Sequence, residues 1–402
     1  MTFFRHLKLE EGQHALILGA RGTGKSTLLR ERFSNQPVFW IDLLLPKTED
    51  RYARNPERLK NEFVALPSET KIIVIDEIQK VPSLLDVVHS LIETPGHDRL
   101  FILTGSSARK LRAGSANLLA GRALAYTFFP LTSFELGSQF ILKEALQYGT
   151  LPKIWNLISA SAKRKTLETY ALTYLNEEIR AEQAVRLLDP FRKFLEVAAQ
   201  SNGRIVNFSS IARDVDVDEK TVRSYYQILE DTLIGFFLEP FHNSIRKQVG
   251  KAPKFFFFDT GVVRALSRTL TLDLLPSTNS WGDAFEHFII TEMTRLIGYS
   301  GNQFRLHFIR TYEDQEIDVV VMRPGKPLLL IEIKSTETIR RDHLKHLLTL
   351  RSDFSVPTEE LCLSCDETAQ MIEGVLCLPW QQGLRKFFGG PDLTLISPED
   401  PV

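Results

Sequence analysis

One octapeptide constrains this chain more than any other feature. Gly19-Ala20-Arg21-Gly22-Thr23-Gly24-Lys25-Ser26 fits the pattern G-x-x-x-x-G-K-[ST]. A short apolar run, residues 15–18, precedes it and reads as a buried strand, and from Ser26 onward the chain reads as helix. Strand, glycine loop and helix are the context in which such a loop cradles phosphate. Glycines let backbone N–H groups turn inward around phosphate oxygens, and the helix N-terminus adds a favourable dipole. Residues Gly19 through Thr27 are therefore the expected nucleotide-binding segment, with Lys25 reaching the β and γ phosphates and the Ser26 hydroxyl ligating Mg²⁺.

A second segment, residues 71–78 (KIIVIDEI), carries a β-branched buried strand that ends in Asp76-Glu77. In nucleotide hydrolases of this kind an Asp at that place holds Mg²⁺ through water, and an adjacent Glu polarises the attacking water. The plainer alternative is a strand end with two solvated acids. A third strand, residues 100–103, ends in Thr104-Gly105-Ser106-Ser107, either a γ-phosphate sensor or a simple hydroxyl-rich turn. Residues 99–134 hold Arg99, Arg109, Lys110, Arg112 and Arg122 and no acid, a stretch expected near phosphates. Arg122, in Leu-Ala-Gly-Arg, is the candidate for neutralising the transition state, in its own subunit or a neighbour's. A surface salt bridge is the competing reading.

These motifs, together with IDEIQ, LTGSS, LAGRA and FFPLTSFEL (residues 128–136), resemble a group of predicted AAA+ superfamily ATPases of bacteria and archaea, related to the archaeal-ATPase and STAND branches. The resemblance covers about the first 150 residues closely. It implies an ATP-hydrolysing P-loop domain with Asp76-Glu77 as its Walker B pair and a sensor at residues 104–106.

Beyond a turn at residues 147–152, residues 160–200 carry helical periodicity and read as a lid or connector. Residues 208–238 then show the pattern of a winged helix-turn-helix. Ser209-Ser210 are expected to cap a short helix, Val217-Asp218 form a turn and cap, and a second helix over residues 219–231 buries Val222, Tyr225, Tyr226 and Leu229. Lys220 and Arg223 stand where recognition helices touch DNA. Against this, Asp214, Asp216, Asp218 and Glu219 repel phosphate, and such modules also serve as lids or protein contacts. Residues 240–258 hold Arg246, Lys247, Lys251 and Lys254 and no acid, so they read as a basic hairpin able to track a phosphate backbone.

In the last third, residues 316–322 (EIDVVVM) and 328–334 (LLLIEIK) flank a Pro-Gly turn and read as a hairpin. Folding about Gly325 places Asp318 opposite Glu332 and Glu316 opposite Lys334. Two carboxylates beside a lysine supply hard oxygen ligands for Mg²⁺ or Mn²⁺, and such an ion activates water and stabilises a scissile phosphate. This resembles the PD-(D/E)XK nuclease motif, with Asp318, Glu332 and Lys334 as its D, (D/E) and K. Glu286, on a preceding helix over residues 282–296, fits the additional acid. Ile317 stands where the motif has proline. A solvated hairpin with an ion pair is the plain alternative, and a third reading keeps the fold as a DNA-binding surface with cleavage lost. Cys362, Cys365 and Cys377 lack a fourth zinc ligand at usual spacing. His343 and His346 read as surface residues.

The expected fold class is α/β. It comprises a P-loop AAA+ domain with a parallel sheet and helices on both faces (1–140), a helical lid with winged helix-turn-helix (141–265), an α/β restriction-endonuclease-like domain (275–392) and a tail (393–402). The charge of −1 excludes a uniformly basic chain but not local basic patches. No run reaches the ~18 apolar residues of a spanning helix, so a cytoplasmic protein without membrane contact is expected. The expected function is ATP hydrolysis acting on DNA, in branched or duplex remodelling or processing, by a homo-oligomeric ring using ATP and Mg²⁺. One alternative is a nucleotide-controlled switch with a protein partner, as in a defence or toxin-linked ATPase. Another is a metal-dependent nuclease that uses ATP only to assemble.

Overall fold

A computed structural model describes residues 3–96, 98–107, 121–174, 188–242 and 252–389. The expected basic residues Arg109, Lys110, Arg112, Arg246, Lys247 and Lys251, and the expected tail, lie outside the described residues.

The chain is mixed α/β. The N-terminal layer is a five-stranded parallel sheet in the order β2-β3-β4-β1-β5, formed by β1 (His14–Leu18), β2 (Val38–Asp42), β3 (Ile72–Asp76), β4 (Leu100–Gly105) and β5 (Ala123–Thr127). β3 is buried along its whole length, as expected for an unbroken β-branched run covered on both faces. Among the helices of seven residues or more, α1 (Lys25–Arg32), α2 (Pro46–Arg54), α3 (Arg58–Ala65) and α4 (Leu84–Ile92) belong to this layer. Leu84, Val88 and Leu91 of α4 pack with Ile73, Ile75 and Phe101 of the sheet. β4 lies between β1 and β3, so the glycine loop after β1 and the acids after β3 emerge at the same carboxyl edge, on either side of β4.

The middle is helical: α5 (Leu142–Tyr148), α6 (Ala160–Thr169), α7 (Leu188–Gln200), α8 (Phe208–Asp214) and α9 (Glu219–Asp231). Asp218 caps α9 through Thr221 N–H at 2.7 Å. The cap of α8 is Asn207, which accepts from Ser210 N–H at 3.0 Å, and not the expected serines. Asn207 precedes the first helical residue and so supplies an oxygen to the orphan donors, whereas Ser209 and Ser210 lie inside the helix. Val222, Tyr225, Tyr226 and Leu229 are buried as expected. They pack with Phe191, Phe194 and Phe255.

After α9 come β6 (Gly235–Pro240), β7 (Lys254–Phe257) and α10 (Thr260–Leu266). Next are α11 (Asn279–Ser300), β8 (Arg305–Arg310), β9 (Glu316–Met322), β10 (Leu328–Lys334), β11 (Thr358–Ser364), β12 (Gln370–Ile372), β13 (Val375–Pro379) and α12 (Trp380–Phe388). The second sheet has eight strands in the order β12-β13-β11-β10-β9-β8-β6-β7. It runs across the boundary expected near residues 265–275, because β6 pairs parallel with β8 through Glu239–His307 and Pro240–Phe308. The two strands after α9, β6 and β7, are thus the edge of the C-terminal sheet.

α11 joins the layers. Its Phe285, Phe288, Ile289 and Met293 are buried against Val319, Val321, Leu329 and Ile331. Farther along, Glu292 and Arg295 form a buried pair at 3.1 Å. Ser133 donates to Glu292 through its backbone N–H and its hydroxyl, at 2.8 and 2.6 Å. Arg295 donates to the carbonyls of Leu131 and Phe258 and to the Thr150 hydroxyl, each at 2.9 Å.

Candidate functional site

The glycine loop is held by close backbone contacts. Gly19 N–H donates to Gly105 O at 3.1 Å, and Phe128 N–H donates to Leu18 O at 2.6 Å. A Cβ at Gly19 would lie 2.2 Å from Phe128 O, so only glycine fits. Gly22 and Gly24 have φ of +83° and +97°, the left-handed region that glycine enters without strain. Gly24 caps α1 with no side chain, which leaves the first-turn N–H groups directed toward the loop. Thr23 Oγ1 donates to Ala20 O at 2.8 Å. Two distant side chains hold loop carbonyls: Arg5 donates to Thr23 O at 2.8 Å, and Tyr170 to Arg21 O at 2.8 Å. Neither was legible as part of the loop.

Lys25 is buried, and its Nζ donates to Gly19 O at 2.8 Å while standing 3.7 Å from Glu77 Oε1. Asp76 and Glu77 emerge beside it at the end of β3. Thr104, at the end of β4, donates its hydroxyl to Asp76 Oδ1 and accepts Glu77 N–H at 3.0 Å. Ser106 donates to Glu77 Oε2 at 3.0 Å, and Gln79 bridges Glu77 and Ser106. Glu77 takes a left-handed conformation, φ 61° and ψ 51°, sparsely populated by non-glycine residues. Burial works against ionising Glu77, but Lys25, Gln79, Ser106 and Arg21 outweigh it, and its carboxyl is held below the usual range. The structure therefore brings together Lys25, Asp76, Glu77, Thr104 and Ser106, and adds Gln79. Ser26 is half-buried and Thr27 exposed on the first turn of α1.

Two basic residues are placed otherwise than the acid-free stretch suggested. Arg99 precedes β4 at the amino edge of the sheet and donates to the carbonyls of Phe63, Leu66 and Thr70. It ties α3 to the sheet, away from the phosphate loop. Arg122 precedes β5, whose first residue Ala123 pairs with His14, while Thr127 pairs with Leu18 beside the loop. The whole of β1, roughly 13 Å at ~3.3 Å per residue, separates it from its own loop. Its guanidinium pairs with Glu93 just after α4.

The C-terminal hairpin has the expected register: Leu329, Leu330 and Ile331 face Val321, Val320 and Val319. Past that point the Asp318 carboxylate takes the Ile333 N–H at 2.7 Å. Glu286 of α11 and Glu316 and Asp318 of β9 each offer an oxygen within 4.8 Å of the others. Glu332 pairs with Lys334 at 2.5 Å, and its other oxygen is buried with no hydrogen-bond partner among the described residues. Glu316 does not meet Lys334 as the register suggested. It meets Lys254 of β7 at 2.5 Å, and the same ammonium lies 3.3 Å from Glu286. The splay at Asp318 and the arrival of β7 at the sheet edge account for the exchange.

Crowding and burial dominate this electrostatics. Burial, with Asp318 and Glu316 against the opposing pull of Lys254, pushes Glu286 up to about 7. Burial and Asp318 push Glu332 up to about 8, opposed by Lys334. Burial disfavours the ammonium groups of Lys254 and Lys334, yet the surrounding carboxylates hold both above the ordinary lysine range. A set of oxygens that resists full ionisation is what a divalent cation relieves. Lys254, expected in a basic hairpin that tracks phosphate, is instead buried among these acids, because β7 brings it to them from more than twenty residues before α11.

The remaining candidates fall away from both sites. Cys362 faces Cys377 across β11 and β13, both buried in a strand pair. Among the described residues, the three clustered carboxylates are the group able to hold a metal ion. On α9, Arg223 is engaged locally, donating to Glu219 at 3.0 and 2.7 Å and lying 3.9 Å over the Phe208 ring of α8. Lys220 is exposed. No helix among the described residues is long and apolar enough to cross a membrane.

Comparisons with known proteins match the chain in three segments. Residues 11–137 match a family described as an AAA domain. Residues 139–273 match a domain of unknown function, DUF8612, and residues 281–382 match another, DUF4143. Two relatives, uncharacterized proteins Mb2031c of Mycobacterium bovis and Rv2008c of Mycobacterium tuberculosis, are each 29% identical over 330 residues, 80% of this chain and 70% of theirs. Among solved structures, a DNA polymerase III gamma subunit-related protein of Thermotoga maritima matches at 11% identity and TM-score 0.27, over 55% of this chain and 95% of that one. The Hef helicase domain of Pyrococcus furiosus matches at 10% identity and TM-score 0.19, over 88% of this chain and 86% of that one. The chain thus carries an AAA-family ATPase domain at its N-terminus, the fold of a nucleotide-hydrolysing protein, and a DUF4143 domain at its C-terminus.

Proposed function

We propose that this protein is an ATP-hydrolysing AAA protein that acts on DNA as an oligomer in the cytoplasm, with a nuclease-like C-terminal domain. The observation that carries the reading is the coexistence of two phosphate-directed sites in one chain. One is the glycine loop with Lys25 beside Asp76 and Glu77; the other is the cluster of Glu286, Glu316 and Asp318 with Glu332 and Lys334.

At the first site the loop N–H groups and Lys25 would bind the phosphates, while Ser26 and Asp76 would hold Mg²⁺, which would neutralise phosphate charge. Glu77, kept ionised, accepts the proton of the attacking water. Thr104 orients Asp76, and Ser106 with Gln79 orients Glu77. Arg122 is too far from its own loop to act there, so its catalytic role is toward a neighbouring subunit in a ring. At the second site the acids would hold a divalent cation, which would activate water, and Lys334 would position that water or the phosphate.

The test of the second site is Asp318→Ala assayed for Mg²⁺- or Mn²⁺-dependent DNA binding and nicking, with ATP turnover measured in parallel. Loss of both DNA readouts with ATP turnover retained supports the reading. Unchanged DNA binding and nicking would remove the nuclease-like domain from it.

A specific observation favours a second reading, a nucleotide-controlled switch with a protein partner. The recognition-helix arginine, Arg223, is already occupied by Glu219 and Phe208. On that reading DNA leaves ATP turnover unchanged and a protein alters it.

A further inference from the structure

Lys254 lies within the middle region of the chain, inside the segment 139–273, while the acids that it meets belong to the segment 281–382. It is 4% exposed. Its ammonium is 2.5 Å from Glu316 Oε1 and 3.3 Å from Glu286 Oε1, and these two acids with Asp318 form the cluster whose oxygens lie within 4.8 Å of one another. A divalent ion bonded to the same two glutamate oxygens would stand beside that ammonium. Two cations cannot share so small a space without strong repulsion. Independently, one Glu332 oxygen is buried without a hydrogen-bond partner among the described residues, and the nearby Asp318 and Glu286 carboxylates oppose its ionisation. Beside the cluster there is therefore an acceptor that Lys254 does not satisfy.

We propose that Lys254 is a built-in counter-ion that competes with a divalent cation for the Glu286, Glu316 and Asp318 cluster, so that loading the site requires displacing the ammonium supplied by β7. The inference rests on reading this cluster as a cation site. It adds that occupancy is set by a residue from the segment 139–273, outside the segment 281–382 that carries the acids. β7 is suited to that task, because Phe258, next after it, accepts from Arg295 of α11, and Lys254 is at its other end. The strand that delivers the competing charge is thus tied to the helix that carries Glu286.

The experiment is Mn²⁺ binding to the full chain without nucleotide, read by electron paramagnetic resonance, for wild type, Lys254→Met, Lys254→Arg and Asp318→Asn. Lys254→Met should bind Mn²⁺ at least tenfold more tightly than wild type. Lys254→Arg, which keeps the charge, should bind as weakly as wild type, and Asp318→Asn should lose the site. Wild-type binding that Asp318→Asn abolishes but Lys254→Met leaves unchanged would overturn the competition and leave the cation site standing. Absence of binding in both wild type and Lys254→Met would overturn both. Should Lys254→Met be unfolded without metal, millimolar Mn²⁺ should restore its helical circular dichroism; failure to do so also overturns the competition.

Discussion

The Lys25 ammonium stands 3.7 Å from the Glu77 carboxylate, across the carboxyl edge of the parallel sheet. This contact joins the two motifs that the sequence presents fifty residues apart, and it is part of why Glu77 remains ionised despite burial. Glu77→Gln keeps the shape and the Gln79 and Ser106 neighbours but removes the base. ATP turnover should fall by about 10²–10⁴-fold, while nucleotide affinity stays within a few-fold of wild type. Single-turnover kinetics with labelled ATP separate the two, and undiminished turnover would remove Glu77 from the chemistry.

Arg122 gives a prediction about assembly. Arg122→Ala should bind ATP normally yet lose about 10³-fold in turnover, as when a transition-state arginine is removed. Mixing it with Lys25→Ala should restore part of the activity, since each subunit then supplies what its neighbour lacks. If Arg122 serves only its pair with Glu93, turnover stays at the wild-type value and mixing adds nothing.

The Arg295–Glu292 pair should be a principal tie between α11 and the N-terminal layer. Arg295→Met strands a buried carboxylate and three acceptors, a change that costs about 3–5 kcal/mol. Denaturation followed by probes in the two halves of the chain should shift to lower urea and cease to coincide. Coincident transitions at the wild-type midpoint would show that the tie is unimportant.

His287 supplies a pH dependence. It is buried and its Nε2 lies 2.6 Å from Phe257 O. Burial lowers its pKa to about 4 from the ordinary 6.5. The unfolded chain therefore takes up the proton first. Stability from neutral His287 is fully present above about pH 6.5 and is lost as pH falls toward 4. At pH 5 the loss is about 2 kcal/mol. His287→Gln, measured in chelator by urea midpoints at pH 7 and 5, should lack that part of the decline; an identical decline would contradict the assignment.

What was legible in the sequence was legible because local chemistry decides it. Glycines at 19, 22 and 24 are required by close approach and left-handed turns, and the unbroken run 72–75 has no other way to be buried. The Gly325-centred register of β9 and β10 follows from a symmetric hairpin. What was hidden depends on distant partners. Arg5 reaches Tyr299 across 294 residues of chain. Lys254 meets Glu316 only because β6 joins β8 and carries β7 to the sheet edge. Arg99 looked like a phosphate contact, but its position before β4 puts it at the sheet's other edge, among the carbonyls that end α3. A stretch without acids records composition and not direction, which only the sheet topology supplies.

A protein whose ATP turnover acts on DNA must couple its nucleotide chemistry to DNA. The direct measurement is steady-state ATP turnover with single-stranded, duplex, forked and four-way DNA, at low and raised salt. At least one DNA form should raise turnover several-fold, and raised salt should abolish the increase, because phosphate contacts release counterions. Turnover that is indifferent to every DNA form at low salt would contradict action on DNA.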